Sequence, residues 1–384
     1  MKVAVAIVFA SVSAPAAADP LRLRADALAT SGAPAGLVTL EGDADAGRNM
    51  SAEAVVWTGG GTLGDDAHAD VLVIALRART ADGKESVRVG RFVETLGALR
   101  PLQIDGLAAR ARLPYNVDAE AYAGIPVVPG ITTSRAWDWA TGARIGYRIG
   151  DSGSTGLAFA EQRDDGRLVS EEVATDAGAS LGTHDDVAAK LAYDIANPGI
   201  AEATLVASDR HGALRSDIYA SYRAASHLLP ATSLFTVLGD TPAVRAGTTL
   251  TWRAAPRLEV TADLGVRRAE QDTSPTAIAR ARLFLDARGK SAVSCELRRD
   301  DGWTGARGAA RIMLGGGLFT STELELVIPD HNTGIGRAWP WALGAVGYDD
   351  GTWQSAIALE ASASPTDRRR LDVLAQLSRR WGAK

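Results

Sequence analysis

The sequence contains very little cysteine, no long apolar run beyond its first residues and no basic block. Cys295 is the single cysteine among 384 residues, so an intramolecular disulfide is impossible. After the N-terminus, no segment approaches the roughly 18 consecutive apolar residues that a membrane-spanning helix requires. The net charge is −5, and the lysines and arginines are dispersed, which argues against a nucleic-acid partner.

The N-terminus, MKVAVAIVFASVSAPAAADP, has the layout of a secretory signal peptide. Lys2 precedes an apolar stretch over residues 3–12, and Ala16, Ala17 and Ala18 supply the small residues of a cleavage site. We therefore expect a cleaved signal peptide at 1–18 and an exported mature chain at 19–384. The alternative is a buried N-terminal helix.

Most of the remaining chain alternates between apolar and polar residues, which indicates half-buried β-strands. The segment RLEVTADLGVRR places Leu258, Val260, Ala262, Leu264 and Val266 on one face. Similar alternation occurs at 117–125, 143–149, 187–195, 293–297 and 324–328. Turn signals such as ADGK (81–84) and DDGT (349–352) separate these segments. The pattern predicts an all-β chain of roughly 18 to 23 strands.

The lengths of the connections supply a second pattern. Near the C-terminus, short turns at 349–351, 315–317, 287–290 and 254–256 are expected to alternate with longer connections at 329–336, 301–305 and 270–276. Short turns at one end and longer loops at the other are typical of outer-membrane barrels.

Two architectures fit such an array, a soluble β-sandwich or propeller and a membrane barrel. Charges of both signs on the polar faces suit a wetted lumen, although the solvent face of a soluble sheet explains them equally well. The nine tryptophans lie near predicted strand ends, as in an interfacial girdle. A sheet this large without covering helices also needs closure to remove its edges. These points favour a single antiparallel up-and-down transmembrane barrel with an even number of strands, about 18–22.

The chain closes with the alternating segment RLDVLAQLSRRW, in which Leu371, Val373, Ala375 and Leu377 would face lipid. Together with the signal peptide and the hairpin array, this segment resembles a Gram-negative, porin-like outer-membrane β-barrel. Trp381 stands where that class carries a terminal aromatic, but three residues follow it. The resemblance implies an outer-membrane location, contact with outer-membrane lipid, and recognition of the last strand by the barrel-assembly machinery.

Two segments, GRFVETLGALRPLQIDG (90–106) and SHLLPATSLFTVLGD (226–240), resemble stretches of uncharacterised barrels of myxobacterial type. Some barrels of such bacteria are linked to polysaccharide export, so this resemblance implies polysaccharide-secretion components as partners. Pro230 interrupts the second segment, which is expected to form either a lipid-facing corner or a constriction in the lumen.

A barrel with this pattern has candidate lumen-lining and interfacial residues. The residues expected to line the lumen are Arg110, Arg112, Asp118, Glu120, Arg144, Arg148, Lys190, Asp194, Asp263, Arg267, Glu323 and Glu325. The aromatic residues expected at the membrane interface are Trp339, Trp341, Trp353 and Trp381.

No motif predicts catalysis, a metal or a cofactor. His68, His184, His211, His227 and His331 lack a metal-ligand spacing. Ser226 and His227 are adjacent, and adjacent strand residues face opposite sides, so they would not form a dyad. The carboxylate-rich segments 42–47 and 64–70 lack a calcium-loop pattern.

Closing about 18–22 strands makes a wide cylinder, since 16–18 strands already leave an aqueous channel. The sequence therefore predicts a non-enzymatic pore that passes solutes or a secreted polymer through a charged lumen. One alternative is a structural or accessory barrel of an envelope or polysaccharide-secretion complex. Another is a membrane-embedded hydrolase, which requires His, Ser or Asp side chains that converge at one height.

Overall fold

The structure, a computed structural model, describes residues 22–29, 35–45, 49–61, 64–127, 138–224, 243–269, 272–330, 338–363 and 370–379. These residues form 22 β-strands. The signal peptide expected at 1–18 and the segment 226–240 lie outside them.

The first eleven strands are β1 (Arg22–Ala29), β2 (Ala35–Asp45), β3 (Met50–Gly61), β4 (Gly64–Arg79), β5 (Glu85–Glu94), β6 (Leu102–Leu113), β7 (Val117–Pro126), β8 (Ala140–Ile149), β9 (Gly153–Asp164), β10 (Arg167–Ser180) and β11 (Asp185–Asp194). The remaining strands are β12 (Gly199–His211), β13 (Leu214–Arg223), β14 (Ala243–Ala255), β15 (Leu258–Ala269), β16 (Asp272–Phe284), β17 (Ala292–Asp300), β18 (Trp303–Gly315), β19 (Leu318–Pro329), β20 (Trp339–Asp349), β21 (Trp353–Ser362) and β22 (Arg370–Arg379). Within the described ranges, no helix is long and apolar enough to cross a membrane.

Each strand pairs antiparallel with the next strand along the chain. This up-and-down pairing begins with β1 and β2 and continues to β21 and β22. β22 in turn lies beside β1, so the two end strands are neighbours and the sheet forms a barrel. The expected fold, an all-β up-and-down barrel of about 18–22 strands, is confirmed.

The two faces of the sheet differ sharply in character. Large apolar side chains point outward, and Ile145, Leu264 and Ile357 are each 64% exposed. Their neighbours along the strands point inward and are mainly small or charged. In β22, Leu371 is 64% exposed whereas Asp372 is 2% exposed. A soluble sandwich would bury its large apolar side chains, so this outer surface is the face that contacts lipid.

The connections are of two kinds. Those that follow even-numbered strands contain two to seven residues and lie at what we call the tight-turn end. Those that follow odd-numbered strands lie at the opposite loop end and range from two residues to the nineteen of 224–242. The expected alternation holds only in part: 285–291 is a seven-residue tight-end connection, whereas 270–271 and 301–302, expected to be long, contain two residues. The polar residues that flank 270–271 and 301–302 belong to the ends of the adjoining strands, so these two connections are shorter than expected.

Three glycines bend the wall inward on its loop-end side. Gly90, Gly106 and Gly124 are adjacent across β5, β6 and β7. A Cβ at Gly106 would lie only 2.6 Å from the Cα of Gly124, so side chains there would prevent this close approach. Beyond the glycine row, β5 leaves its partner β4 and enters the lumen.

Side chains satisfy backbone groups where β4 and β5 separate. The last paired residues of this ladder are Ile74 and Arg91. The Arg91 guanidinium donates to the Val71 carbonyl at 2.9 Å, and the Gln103 amide donates to the Leu72 carbonyl at 2.6 Å. Arg91 also bonds Asp105, at 2.7 Å and 2.9 Å. Side chains of β5 and β6 therefore satisfy the Val71 and Leu72 carbonyls where β5 no longer pairs with β4.

Aspartates stabilise several tight turns. In the turn at 80–84, the Thr80 hydroxyl donates to Asp82 Oδ1 at 2.7 Å and the Lys84 N–H donates to the same oxygen at 3.2 Å. These hydrogen bonds lower the pKa of the Asp82 carboxyl to about 2. At 350–352, the Trp353 and Thr352 N–H groups similarly lower the pKa of Asp350.

We predict that arginine destabilises the barrel to different extents at two adjacent positions of β21. Ile357→Arg places a guanidinium against lipid and lowers the free energy of unfolding by about 2–4 kcal/mol if the site is near the bilayer midplane. Ala356→Arg points into the lumen beside Gly347 and Gln376, so its effect stays below about 1 kcal/mol. Denaturant unfolding in lipid vesicles measures both, and equal losses would contradict the assigned faces.

The Asp82 turn should also respond to acid. Because its pKa is lowered in the folded state, its stabilisation is present above about pH 4, the ordinary carboxyl range, and is lost as the pH falls through about 2. Titration of the carboxyl carbon by NMR should give a midpoint near 2. Thr80→Ala removes the strongest hydrogen bond and should raise that midpoint. An unchanged midpoint in this variant would refute the assigned cause.

Candidate functional site

The lumen contains a short segment that we call the inner loop, residues 95–101. It connects β5 to β6 and folds against the inside of the wall. Leu96 and Leu99 are 1% and 5% exposed. They pack in an apolar cluster with Phe92, Ile104 and Tyr122 and with a row of inward alanines on neighbouring strands, namely Ala108, Ala140, Ala158, Ala174, Ala192 and Ala201. The small methyl groups leave the space that the loop occupies.

Arg100 anchors the far end of the inner loop to β10. Its guanidinium pairs with the Glu172 carboxylate and donates to the Ser170 hydroxyl at 2.9 Å. The Ser170 hydroxyl also donates to Glu172, at 3.0 Å. Glu172 is only 3% exposed, and a buried carboxylate of this kind needs its cationic partner. The contact therefore joins the loop to a strand four places further around the barrel.

Gly97 allows the loop to lie against charged side chains of the wall. Its φ is +57°, a conformation that glycine adopts without strain. A Cβ at this position would overlap the Asp176 carboxylate and approach the Arg144 Nε to 2.8 Å. The tip of the loop therefore rests on the Arg144–Asp176 pair.

A continuous chain of ion pairs crosses the wall under the inner loop, and we call it the charge ladder. Glu94 accepts from Arg110 at 2.6 Å, and Arg110 approaches Glu120 at 3.2 Å. Arg144 donates to Glu120 at 2.9 Å and to Asp176 at 2.7 Å and 3.0 Å. The ladder links β5, β6, β7, β8 and β10, and charges of opposite sign neutralise each other along it.

The structure brings together several of the predicted lumen residues. Arg110, Glu120 and Arg144 belong to the charge ladder. Asp118 lies nearer the tight-turn end and contacts Arg112 at 3.5 Å and Arg148 at 3.0 Å.

The next two predicted residues lie on β11. Lys190 is exposed and faces Asp176 in register, whereas Asp194 is buried and accepts from the Asn197 N–H at 2.9 Å.

The other predicted residues lie on the opposite wall. Asp263 accepts a hydrogen bond from the Tyr219 hydroxyl at 3.0 Å. Glu323 pairs with Arg307, and Glu325 lies next to Arg307 in register. Arg267 faces Arg245 and Ser274 in register. Their positions on the inward rows are consistent with a charged lining on both sides of the lumen.

The predicted interfacial tryptophans occupy different faces. Trp341 lies beside Glu325 in register, and its indole N–H donates to Glu360 at 2.8 Å, so it faces the lumen. Trp339 lies on the same inward row, and neither residue belongs to an outward girdle. Trp353 faces outward at the tight-turn end, where Arg379 stacks over its ring at 4.6 Å. Trp381 lies outside the described residues.

The sequence pattern does not predict the inner loop, and the segment 226–240, expected to form a lipid-facing corner or a constriction, lies outside the described residues. The relevant signal is the segment ETLGALRP (94–101), in which the period of two stops, Leu96 precedes Gly97, and Leu99 lies between Gly97 and Pro101. This segment predicts a break in the strand pattern but not the side to which the break folds.

Two of the five histidines are neighbours. The rings of His184 and His211 are 6.1 Å apart and inclined by 59° at the tight-turn end. Among the described side chains, neither ring bonds a serine hydroxyl, and no group of three or more His, Cys, Asp or Glu residues is placed to hold a metal ion.

Comparison with solved structures identifies the same architecture. The translocation pore of the P pilus usher PapC matches 95% of this chain and 100% of its own, with 8% identity and a TM-score of 0.55. The siderophore receptor PirA from Pseudomonas aeruginosa matches 94% of this chain and 80% of its own, with 10% identity and a TM-score of 0.59. No protein-family model and no curated protein matches the sequence. The chain thus shares the fold of outer-membrane β-barrels.

We predict that Arg100→Met releases the inner loop. The substitution keeps the length of the side chain but leaves Glu172 buried without its cation, and breaking such a pair costs about 3–5 kcal/mol. Hydrogen exchange of the amides at 95–100 should accelerate at least about tenfold, because local opening avoids that penalty. Amides at 85–91 on β5 serve as the internal reference.

The double variant Arg100→Met/Glu172→Met supplies the matched control. It removes the buried charge together with its partner, so exchange at 95–100 should slow again relative to Arg100→Met alone. Equal exchange in the wild type and Arg100→Met would show that the anchor does not hold the loop.

Proposed function

We propose that the protein is an outer-membrane pore that lets solutes or a secreted polymer pass through a charged aqueous lumen. The observation that carries this proposal is the opposite character of the two faces of the closed sheet. The outer face is apolar and the inner face carries the charge ladder, and both suit a wetted channel through a bilayer. The likeness to a translocation pore and a siderophore receptor supports the fold on which the proposal rests.

Barrel size is consistent with passage. A barrel of 22 strands is wider than the 16–18 strands that already leave an aqueous channel. The inner loop occupies part of this cross-section along β5 to β10, and in our proposal the path of the permeant runs along the opposite wall. Selectivity then arises from the charged side chains that border this path.

The two ends of the barrel suggest its orientation. Bacterial barrels place short turns in the periplasm and longer loops outside the cell. In our proposal the tight-turn end faces the periplasm, the loop end faces the exterior, and the barrel-assembly machinery inserts the exported chain by recognising its last strand.

Reconstitution in planar lipid bilayers tests the function. The folded barrel should produce discrete open-channel current steps, since a wetted lumen conducts ions. Lys190→Glu reverses an exposed charge on the lumen wall and should shift the reversal potential in a salt gradient toward cation preference. Lys84→Glu, in the turn at 80–84 outside the wall, is the matched control. If protein with intact β-structure produces no current steps in the bilayer, the proposed pore is refuted.

A further inference from the structure

Three arginines occupy inward positions near the tight-turn end of the β14–β18 wall. Arg253, Arg282 and Arg311 lie on β14, β16 and β18. Their strand neighbours Trp252, Leu283 and Ile312 are exposed on the outer face, so the arginines point into the lumen. We call these three residues the arginine arc.

Within the described part of the chain, the arc differs from the deeper arginines of the same wall in having no carboxylate partner. Further from the mouth, Arg280 and Arg298 share Glu296, and Arg307 pairs with Glu323. Among the described residues, Arg253, Arg282 and Arg311 form no ion pair. Glu259 stands in register between Arg253 and Arg282, so one carboxylate lies beside the three guanidinium groups of the arc. The arc therefore keeps a net positive charge that no internal pairing neutralises.

Aromatic rings fix two of these guanidinium groups. Arg282 lies over Phe284 with 4.8 Å to the ring centroid, and Arg311 lies over Phe319 at 4.1 Å. Phe319 is 4% exposed, so its ring is a rigid support. Stacking occupies one face of a guanidinium and leaves its N–H edges available to an anion. Both groups are thus ordered before a ligand arrives.

The adjacent turns add to the positive charge at this mouth. Arg257 lies in the connection 256–257, and Arg288 and Lys290 lie in 285–291. Asp286 of the same turn accepts from the N–H groups of Arg288 and Lys290, at 2.8 Å and 3.1 Å. Its carboxylate is thereby directed to the backbone of the turn.

We propose that the arginine arc is an entry site for the anionic groups of the transported molecule, a solute or linear polymer that bears carboxylate, sulfate or phosphate groups. This inference rests on the proposed pore and names the class of substrate that enters from the tight-turn end. Fixed arginines bind such oxyanions through paired N–H donors, and their uncompensated charge raises the local anion concentration.

Binding of dextran sulfate to the detergent-solubilised barrel tests the site without requiring conduction. Uncharged dextran is the ligand control. Arg253→Gln/Arg282→Gln/Arg311→Gln should weaken dextran sulfate binding roughly tenfold or more, and wild-type affinity should fall steeply with salt. The single variants Arg282→Gln and Arg167→Gln form a matched pair, because Arg167 lies at the loop end and its loss should leave binding unchanged.

Equal binding by the wild type and the triple variant, or equal binding of uncharged dextran, would overturn the proposal. In bilayers, dextran sulfate should block current from one side only, and the triple variant should lose this block. If the channels conduct but do not bind dextran sulfate selectively, the proposed entry site is refuted and the proposed pore is not. Selective binding by a barrel that never conducts would refute the pore and leave an anion-binding barrel.

Discussion

The hydrocarbon core of a membrane offers no hydrogen bonds to the backbone, and this constraint governs the whole molecule. A sheet that spans a membrane must therefore satisfy its backbone groups internally. Consecutive strands do so in antiparallel ladders along the chain, and β22 lies beside β1. Where β5 leaves β4, the side chains of Arg91 and Gln103 supply donors to the Val71 and Leu72 carbonyls. Polar side chains therefore satisfy carbonyl groups of the wall at the place from which the inner loop departs.

The interior arrangement follows from the same bend. Beyond the glycine row, β5 carries Phe92 and Glu94 into the lumen, and the chain must return to β6 within the seven residues of the inner loop. The apolar side of the loop needs a surface without large side chains, and the inward alanines provide one. Its polar side needs counter-charges, and Glu172 and the Arg144–Asp176 pair provide them. Packing and electrostatics thus hold one segment at one position in a wide barrel.

The barrel was predictable because apolar and polar residues alternate within each strand, which identifies the two faces of the sheet locally. Leu371 and Asp372 were correctly predicted to lie on opposite faces, because adjacent residues of a strand face opposite sides. The inner loop was not predictable, because it depends on a contact between Arg100 and Glu172, which are 72 residues apart. The inward direction of Trp341 likewise depends on its register with Glu325, which proximity to a strand end does not determine.

The distribution of paired and unpaired arginines divides the lumen into two unlike halves. On the β5–β10 side, each arginine of the charge ladder contacts two carboxylates, so the ladder holds its own geometry and presents little net field. On the β14–β18 side, the deeper arginines pair with Glu296 and Glu323, whereas Arg282 and Arg311 near the tight-turn end are held by aromatic rings. A ring orients a cation without cancelling its charge. The first half therefore supports the inner loop, while the second half retains the field that an anion would encounter on entering.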